Sequence, residues 1–329
     1  MAINFIPENM NIELTTYCPL NCPQCYCQLS GEKHINPQIA IKWIEESGKL
    51  GVKQVMLSGG ETLCYPDLYD VISAAAKFCG VAYVALSGYG LTRSVIDDLI
   101  SAGVSGIFIS LNGSTEEINS LTRDGYSLAI SALELLFNKD YQNIWINWVM
   151  HSYNSNDFEN VLAIAERYNA HRLVIMGLKP DSNSELLSVP SKEQMLNIKR
   201  VITEYKGKVK IGVESCYSPM LALASETKLF GNMNVGKYKG CGAGRFCFSV
   251  NVDGQLSPCR HLDFFEEYET IEDYWNNSSV LQRLRDVEND KREPCKNCCY
   301  NNYCRHCLAT NVKTKGELFI GNEKCPMQQ

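Results

Sequence analysis

Residues 11–25 read NIELTTYCPLNCPQC, so a short strand-like run is followed at once by three cysteines. Three residues separate Cys18 from Cys22, and two separate Cys22 from Cys25. Three thiolates can hold only three of the four irons of a cubane iron–sulfur cluster. The fourth iron is then open to a ligand that is not protein, as one position is in a catalytic zinc site. Taken alone, the spacing also fits a zinc knuckle.

The same run opens an alternation of short apolar segments and longer amphipathic ones that continues to about residue 215. Strands are predicted at 11–16, 54–57, 82–86, 106–111, 144–150 and 172–177. The first helix begins with Asn36 as N-cap and Pro37; others are predicted at 67–78, 93–102, 127–138, 157–168 and 192–205. Such alternation predicts parallel strands with right-handed crossovers. Six units favour a partial (β/α)6 TIM-like barrel over residues 1–215, because a closed eightfold barrel needs about 250 residues.

The sequence changes character after residue 215. Residues 216–240 show no clear period and are predicted to be a connector. Residues 241–329 are rich in cysteine and poor in long apolar runs, so bound metal would have to supply part of their stability. Within them we expect a hairpin of strands 248–252 and 255–258, and then helices at 270–275 and 280–287. The predicted fold class is α/β, a partial barrel with a small, cysteine-rich C-terminal iron–sulfur domain.

Charge and composition exclude several classes of partner. A formal net charge of -6 and a pI near 5.5 give no electrostatic reason to bind nucleic acid or an anionic membrane. No apolar run approaches the length of about 18 residues that a spanning helix needs, and the N-terminus lacks a secretory signal. We therefore expect a cytoplasmic protein. Its sixteen cysteines then indicate metal binding rather than disulfides, because cytosolic thiols are kept reduced.

A second motif, Ser58-Gly59-Gly60-Glu61, ends the second predicted strand. Two glycines allow a backbone to approach a ligand closely, and a carboxylate can accept charge-assisted hydrogen bonds from an ammonium group. The alternative is an ordinary strand-to-helix turn with an exposed glutamate. Because active sites of parallel α/β proteins gather at the carboxyl ends of the strands, both motifs lie where an active site is expected.

With these two motifs the chain resembles the radical S-adenosylmethionine (radical SAM) enzymes. The resemblance implies that Cys18, Cys22 and Cys25 bind a [4Fe–4S] cluster whose open iron is chelated by the amino and carboxylate groups of S-adenosylmethionine. One departure is Gln24, because the family usually has an aromatic residue just before the third cysteine. Here the aromatic residue, Tyr26, follows it.

The resemblance also assigns six residues to S-adenosylmethionine. Gly59, Gly60 and Glu61 would contact the methionine amino group. Ser110 would contact the ribose and Arg123 the carboxylate, and Ser87 stands where many members carry a Thr-Asn-Gly turn.

Eight cysteines in the last third of the chain form the other strong pattern. Their spacings are C-x5-C-x11-C, a long gap, and then C-x2-C-x5-C-x2-C-x17-C. Eight thiolates fill two cubanes, since each takes four; a pair of structural zinc sites is the alternative, because C-x2-C units also suit tetrahedral zinc. The eight are Cys241, Cys247, Cys259, Cys295, Cys298, Cys304, Cys307 and Cys325.

This pattern resembles the SPASM extension of peptide-modifying radical SAM enzymes, which implies two auxiliary [4Fe–4S] clusters and three clusters in all. By that resemblance the first auxiliary cluster takes Cys241, Cys247, Cys259 and Cys307, and the second takes Cys295, Cys298, Cys304 and Cys325. Two residues separate Cys304 from Cys307, where the family usually has three, and Cys299 is an alternative ligand. Fully ligated clusters favour electron transfer and shaping of a peptide channel.

The resemblance implies that an electron from a flavodoxin- or ferredoxin-type donor cleaves S-adenosylmethionine reductively. The resulting 5′-deoxyadenosyl radical would abstract hydrogen from a substrate. We expect a maturase that installs a carbon–carbon or thioether crosslink in a ribosomally made precursor peptide. Alternatives are a peptide epimerase, a sulfatase-type maturase (disfavoured because Arg260 stands where those enzymes carry Asp), a small-molecule dehydrogenase, or a non-catalytic zinc or electron-transfer protein.

Recognition of the peptide and the acid–base chemistry are less defined by the sequence. Because only 17 residues precede Cys18, we expect leader binding either by a separate recognition protein or directly by this chain. The catalytic acid or base is not identified. Tyr89, Asn147 and Met150 are expected near the pocket.

Overall fold

The computed structural model describes residues 5–27, 31–179, 189–217, 220, 240–301, 304–321, 325 and 327. Its strands are β1 Asn9–Glu13, β2 Gln54–Ser58, β3 Val81–Leu86, β4 Gly106–Ser110, β5 Ile144–Met150, β6 Arg172–Gly177, β7 Lys210–Val213, β8 Cys247–Val250 and β9 Leu256–Ser257. They form one sheet in the order β7-β6-β5-β4-β3-β2-β1-β8-β9. Neighbours pair in parallel up to β8, and β9 is antiparallel to β8. The predicted α/β class with a parallel sheet is confirmed.

Helices connect successive strands, as the alternation predicts. They are α1 Pro37–Leu50, α2 Leu68–Cys79, α3 Arg93–Ser101, α4 Glu116–Ser120, α5 Tyr126–Asn138, α6 Phe158–Arg167, α7 Lys192–Glu204, α8 Ile271–Asn277, α9 Ser279–Asp286 and α10 Leu308–Lys315. Helix α1 begins as predicted: the side chain of Asn36 accepts a hydrogen bond from the Gln38 backbone N–H at 2.9 Å, and Pro37 opens the first turn. Among the described helices, none is long and apolar enough to cross a membrane.

The two faces of the sheet have different surroundings, because successive side chains of a strand point in opposite directions. In β5, Ile146, Trp148 and Met150 are completely buried on one face. Asn147 and Val149 point to the other face and line a cavity. Asn147 therefore lies at the pocket as expected, whereas Met150 faces the opposite side; Tyr89 is 40% exposed and is not among the lining residues.

The sheet is longer than six strands. Residues 210–213 form β7, which the sequence analysis did not predict, and β8 from the cysteine-rich region pairs in parallel with β1, so that Asn9 lies opposite Cys247. The C-terminal region thus continues the sheet of the partial barrel. The hairpin and both short helices of this region are present close to their predicted positions. Most of the predicted connector, at 218–219 and 221–239, lies outside the described residues.

Hydrogen bonds also attach the C-terminal region to helix α1. The indole N–H of Trp43 donates to the Gly254 carbonyl at 2.9 Å, and Lys42 donates to the Glu269 carbonyl at 2.8 Å. The backbone N–H of Ile271, at the start of α8, donates to the Glu46 carboxylate at 2.9 Å. These contacts fix the turn of the hairpin and the start of α8 against helix α1.

Candidate active site

The loop that carries Cys18, Cys22 and Cys25 follows β1 at the carboxyl edge of the sheet. The Gln24 backbone N–H donates to the Thr122 carbonyl at 3.1 Å, and the Cys25 N–H donates to the Cys22 carbonyl at 3.0 Å. These bonds attach the loop to the segment after α4. They hold the three cysteines within one short, half-buried turn.

The three thiols are close enough to affect one another's ionisation. Burial, with smaller contributions from Glu61 and the other two cysteines, raises the pKa of Cys18 to about 11. Burial likewise raises the pKa of Cys22, and the nearby Arg123 guanidinium opposes this. A thiol that coordinates a metal is deprotonated outright even where burial raises its pKa. The donor set therefore fits an iron–sulfur cluster held by three cysteines.

Gly59 and Gly60 are required by the backbone that lies beneath them. The Gly60 N–H donates to the Thr15 carbonyl at 2.7 Å, and the Glu61 N–H donates to the Tyr17 carbonyl at 2.8 Å. A Cβ on Gly59 would lie 2.6 Å from the Thr15 oxygen, and one on Gly60 would lie 2.6 Å from the Tyr17 carbonyl carbon. The two glycines thus let this loop rest directly on the backbone that leads into Cys18, in addition to lining the cavity.

Glu61 is 1% exposed and is held by three donors. The Ser87 backbone N–H donates to Oε2 at 2.9 Å, the Ser87 hydroxyl donates to the same oxygen, and the Leu63 N–H donates to Oε1 at 3.2 Å. Burial raises the pKa of this carboxyl, while these hydrogen bonds and Arg123 act against the rise. A carboxylate offers about four lone-pair positions, so one on Oε1 remains for a cationic ligand.

One cavity brings together the residues that the sequence predicts for S-adenosylmethionine. The predicted residues that line it are Cys18, Cys22, Cys25, Gly59, Gly60, Ser87, Ser110 and Arg123. Glu61 is not among the lining residues, but it accepts hydrogen bonds from Ser87, which is. The structure therefore places eight of the nine around one cavity, with Glu61 in contact with one of them; the roles of all nine as ligands stay predictions.

Gln24 also lines this cavity. Its side-chain Oε1 is buried and has no hydrogen-bond partner among the described residues. A buried acceptor without a partner is costly, and a ligand that donates a hydrogen bond there would remove the cost. The residue that departs from the family pattern thus offers a polar contact to a bound ligand in place of an aromatic one.

The C-terminal region supplies the other side of the cavity through Arg260 and His261. Arg260 lies over the ring of Tyr26 at 4.7 Å and donates to the Ser58 hydroxyl at 3.3 Å. His261 contacts the same Tyr26 ring edge-on at 4.4 Å. These contacts connect the region that follows Cys259 to both motif loops.

Four of the predicted auxiliary ligands lie together. Cys241, Cys247, Cys259 and Cys307 interact electrostatically with one another, and burial raises the pKa of Cys259 to about 12. Cys307 is the N-cap of α10. A hydrogen bond from the Cys216 thiol, with help from a nearby lysine, lowers the pKa of Cys307. Cys299 is exposed, so the geometry supports Cys307 as the fourth ligand of this group.

The remaining predicted ligands begin in a stretch of consecutive turns. The Cys298 N–H donates to the Cys295 carbonyl at 3.3 Å, and the Cys304 N–H donates to the Tyr300 carbonyl at 3.1 Å. Cys295, Cys298 and Cys304 are all half-buried, as is Cys325. Within the described residues, no three His, Cys, Asp or Glu side chains converge as the ligands of a single metal ion. A cubane, by contrast, distributes its cysteines over four separate irons.

Two charged residues at this edge were not singled out by the sequence analysis. Lys179 follows β6 and lines the cavity, and its ammonium group lies 2.6 Å from the Glu214 carboxylate, which follows β7. Lys179 follows a predicted strand, and Glu214 follows a strand that was observed but not predicted. A position just after a strand end is the sequence signal that could have identified them. Glu214 was missed because β7 was missed.

Comparisons with known proteins show which family and which relatives this chain resembles. The family model described as the radical SAM superfamily matches residues 12–165. The PqqA peptide cyclase of Ruegeria pomeroyi is 26% identical over an alignment of 313 residues that covers 89% of this chain and 79% of the relative. The AdoMet-dependent heme synthase of Methanosarcina barkeri is 24% identical over 99% of this chain and 98% of its own.

Solved structures show the same fold. SuiB of Streptococcus suis bound to S-adenosylmethionine superposes with a TM-score of 0.78 at 16% identity, over 97% of this chain and 77% of that one. The anSMEcpe structure with bound AdoMet and a peptide superposes with a TM-score of 0.74 at 16% identity, over 98% and 94% of the two chains. Residues 12–165, the part of the chain that the family model matches, thus form a radical SAM domain.

Proposed function

We propose that this protein is a radical SAM peptide maturase that installs a carbon–carbon or thioether crosslink in a ribosomally made precursor peptide. The observation that carries the proposal is the shared cavity. Its wall includes the three-cysteine loop on one side and, on the other, residues that adjoin the first auxiliary cysteine group. The relatives support it, because one is named a peptide cyclase and two solved structures of this fold hold a peptide.

The chain's own residues would hold S-adenosylmethionine and one [4Fe–4S] cluster at one end of this cavity. Cys18, Cys22 and Cys25 would ligate the cluster, the free lone pair of Glu61 would accept from the methionine amino group, and Arg123 would pair with the carboxylate. Ser110 and the unpaired Gln24 oxygen would contact the nucleoside. When bound, these groups supply hydrogen-atom abstraction, and two auxiliary [4Fe–4S] clusters supply an acceptor for the electron that leaves with a second hydrogen.

The protein contributes position and exclusion of water. Arg260 and His261 close the cavity from the C-terminal side, and both are fixed by Tyr26. A crosslink removes two hydrogens from the peptide, one as an atom and one as a proton with an electron, so both cysteine groups must lie within reach of one substrate. The SPASM assignment of the C-terminal region, residues 241–329, is part of this proposal, as is a flavodoxin- or ferredoxin-type electron donor.

Mass spectrometry of a coexpressed peptide tests the proposal. A short precursor encoded beside the gene is produced anaerobically with the wild-type protein or with a variant in which Cys18, Cys22 and Cys25 are alanine. We expect a loss of two hydrogens with the wild type only. Unchanged mass with deuterium uptake would indicate epimerisation instead, and an unmodified peptide in both cultures would count against the proposal.

The heme synthase relative favours a second candidate, a small-molecule substrate, because its alignment covers nearly the whole of both chains. Iron content separates the two, since three cubanes require about twelve irons per chain and two require about eight. We expect about twelve. Titration of the labelled precursor against the purified chain then shows whether leader recognition needs a separate protein.

A further inference from the structure

A buried ion pair lies between the cavity and the first auxiliary cysteine group. Lys179 follows β6 and Glu214 follows β7, and these adjacent parallel strands place both side chains at the carboxyl edge of the sheet. The Lys179 ammonium donates to the Glu214 carboxylate at 2.6 Å and to the Gly177 carbonyl at 2.9 Å. The Gly177 N–H in turn donates to the same carboxylate at 3.2 Å. The lysine is therefore held in one position.

The ion pair has the cavity on one side and the first auxiliary cysteine group on the other. Lys179 lines the cavity that contains the three-cysteine loop. It also interacts electrostatically with the thiols of Cys216 and Cys307, and Cys216 hydrogen-bonds to both Cys307 and Glu214. The lysine side chain is 9% exposed. Its positive charge thus acts on Cys307 with little screening by water, whereas the Glu214 carboxylate acts on Cys247 in the opposite sense.

A buried ion pair is weak evidence for stability, because desolvation of two charges can exceed their attraction. An apolar pair of similar volume would pack the same space at lower cost. A role other than stability therefore accounts better for a charge at this place. Reduction adds a negative charge to a cluster, and net charge near a cluster is one of the factors that set its reduction potential.

We propose that Lys179, anchored by Glu214, is a positioning residue that raises the reduction potential of the cluster held by Cys241, Cys247, Cys259 and Cys307. The fixed positive charge favours the reduced form, so the site accepts one electron more readily. This inference rests on the proposed function, because it requires a cluster at the first auxiliary group. It assigns no electron transfer to the lysine itself.

An EPR-monitored redox titration of the full chain tests this. The first cluster is removed from the spectrum by alanine at Cys18, Cys22 and Cys25, and dithionite with redox mediators supplies the electrons. In this background Lys179→Met should make reduction of one auxiliary cluster at least tenfold less favourable, a fall of about 59 mV for a one-electron couple. Lys179→Arg keeps the charge and should stay near the wild-type potential.

A matched control is the exposed pair of Lys49, in the last turn of α1, and Glu45, one turn earlier, 2.8 Å apart. Helix α1 leads into β2, so this pair lies at the amino edge of the sheet, opposite the site. Lys49→Met should leave both auxiliary potentials unchanged. An equal fall for Lys179→Met and Lys179→Arg, or no fall for Lys179→Met, overturns the inference.

A second variant tests the inference if Lys179→Met does not assemble its cluster. Glu214→Gln removes a negative charge and leaves the bond from Lys179 to the Gly177 carbonyl, so the potential should rise; an unchanged or lower potential overturns the inference. Iron content separates the two levels of failure. About eight irons in the background with alanine at Cys18, Cys22 and Cys25, together with unchanged potentials, refutes only the role of Lys179. About zero irons in that background refutes the auxiliary clusters and the proposed function with them.

Discussion

Replacement of Glu61 by Gln tests the proposed S-adenosylmethionine site at its most buried charge. The carboxylate accepts from the Ser87 backbone and hydroxyl on one oxygen and from the Leu63 N–H on the other. An amide of the same shape must turn its NH2 group toward one of these donors. The variant therefore loses at least one buried hydrogen bond along with the charge.

The size of the effect follows from these contacts. A buried donor left facing another donor costs about 1–3 kcal/mol of folding stability. A hydrogen bond to a charged group contributes about 1.5–3 kcal/mol, so loss of the methionine amino contact should weaken S-adenosylmethionine binding by between about tenfold and a hundredfold. Binding should thus suffer at least as much as folding does.

Anaerobic calorimetric titration of the reconstituted protein measures the affinity, and denaturant unfolding measures the stability. The control is Glu45→Gln, because Glu45 is a partly exposed carboxylate whose partner Lys49 is also on the surface. It should change neither quantity appreciably. An affinity for Glu61→Gln within twofold of the wild type, with the cluster intact, would refute the assigned role.

Three further predictions concern other parts of the chain. Gly60→Ala should lower the iron content from about twelve to about eight, because a Cβ would lie 2.6 Å from the Tyr17 carbonyl carbon and displace the cysteine loop. Cys307→Ser should remove about four irons, whereas Cys299→Ser should remove none. His151→Gln should reduce the acid sensitivity of folding: burial lowers the pKa of His151 to about 4, so the unfolded chain, with a pKa near 6.5, takes up the proton first as pH falls.

Each of these three predictions is checked by a measurement that could contradict it. Iron assays that give full occupancy for Gly60→Ala, or equal iron in the two cysteine variants, would contradict the first two. For His151, urea unfolding at about pH 7.5 and about pH 5.5 should show that the wild type loses about 1 kcal/mol more than the variant over this interval. Equal losses would mean that this histidine is not the source of the effect.

Much of the barrel could be predicted because its signals are local. Strands β2 to β6 are mainly apolar runs, β1 alternates polar and apolar residues, and the Asn36-Pro37 pair marks the start of α1 through contacts within one turn. Strand β7 was missed because the four residues Lys210–Val213 include a lysine and a glycine. The pairing of β8 with β1 joins residues more than two hundred positions apart, and no local pattern encodes it.

The site was predictable where it consists of spaced ligands and unpredictable where it depends on packing. The cysteine spacings and the Gly-Gly-Glu motif identify a set of side chains that the cavity does bring together. The contact of Gly60 with the backbone before Cys18 could not be read from the sequence, because it depends on how two loops meet. The pairing of Lys179 with Glu214 depends likewise on the adjacency of β6 and β7.

The most direct measurement is the EPR spectrum of the reduced, anaerobically reconstituted protein before and after S-adenosylmethionine is added. A second sample with alanine at Cys18, Cys22 and Cys25 shows which signal belongs to that loop. If the loop holds a cluster with one open iron, addition should change that signal in the wild type and leave the variant unchanged. A wild-type protein that carries its iron yet gives the same spectrum with and without S-adenosylmethionine would contradict this account.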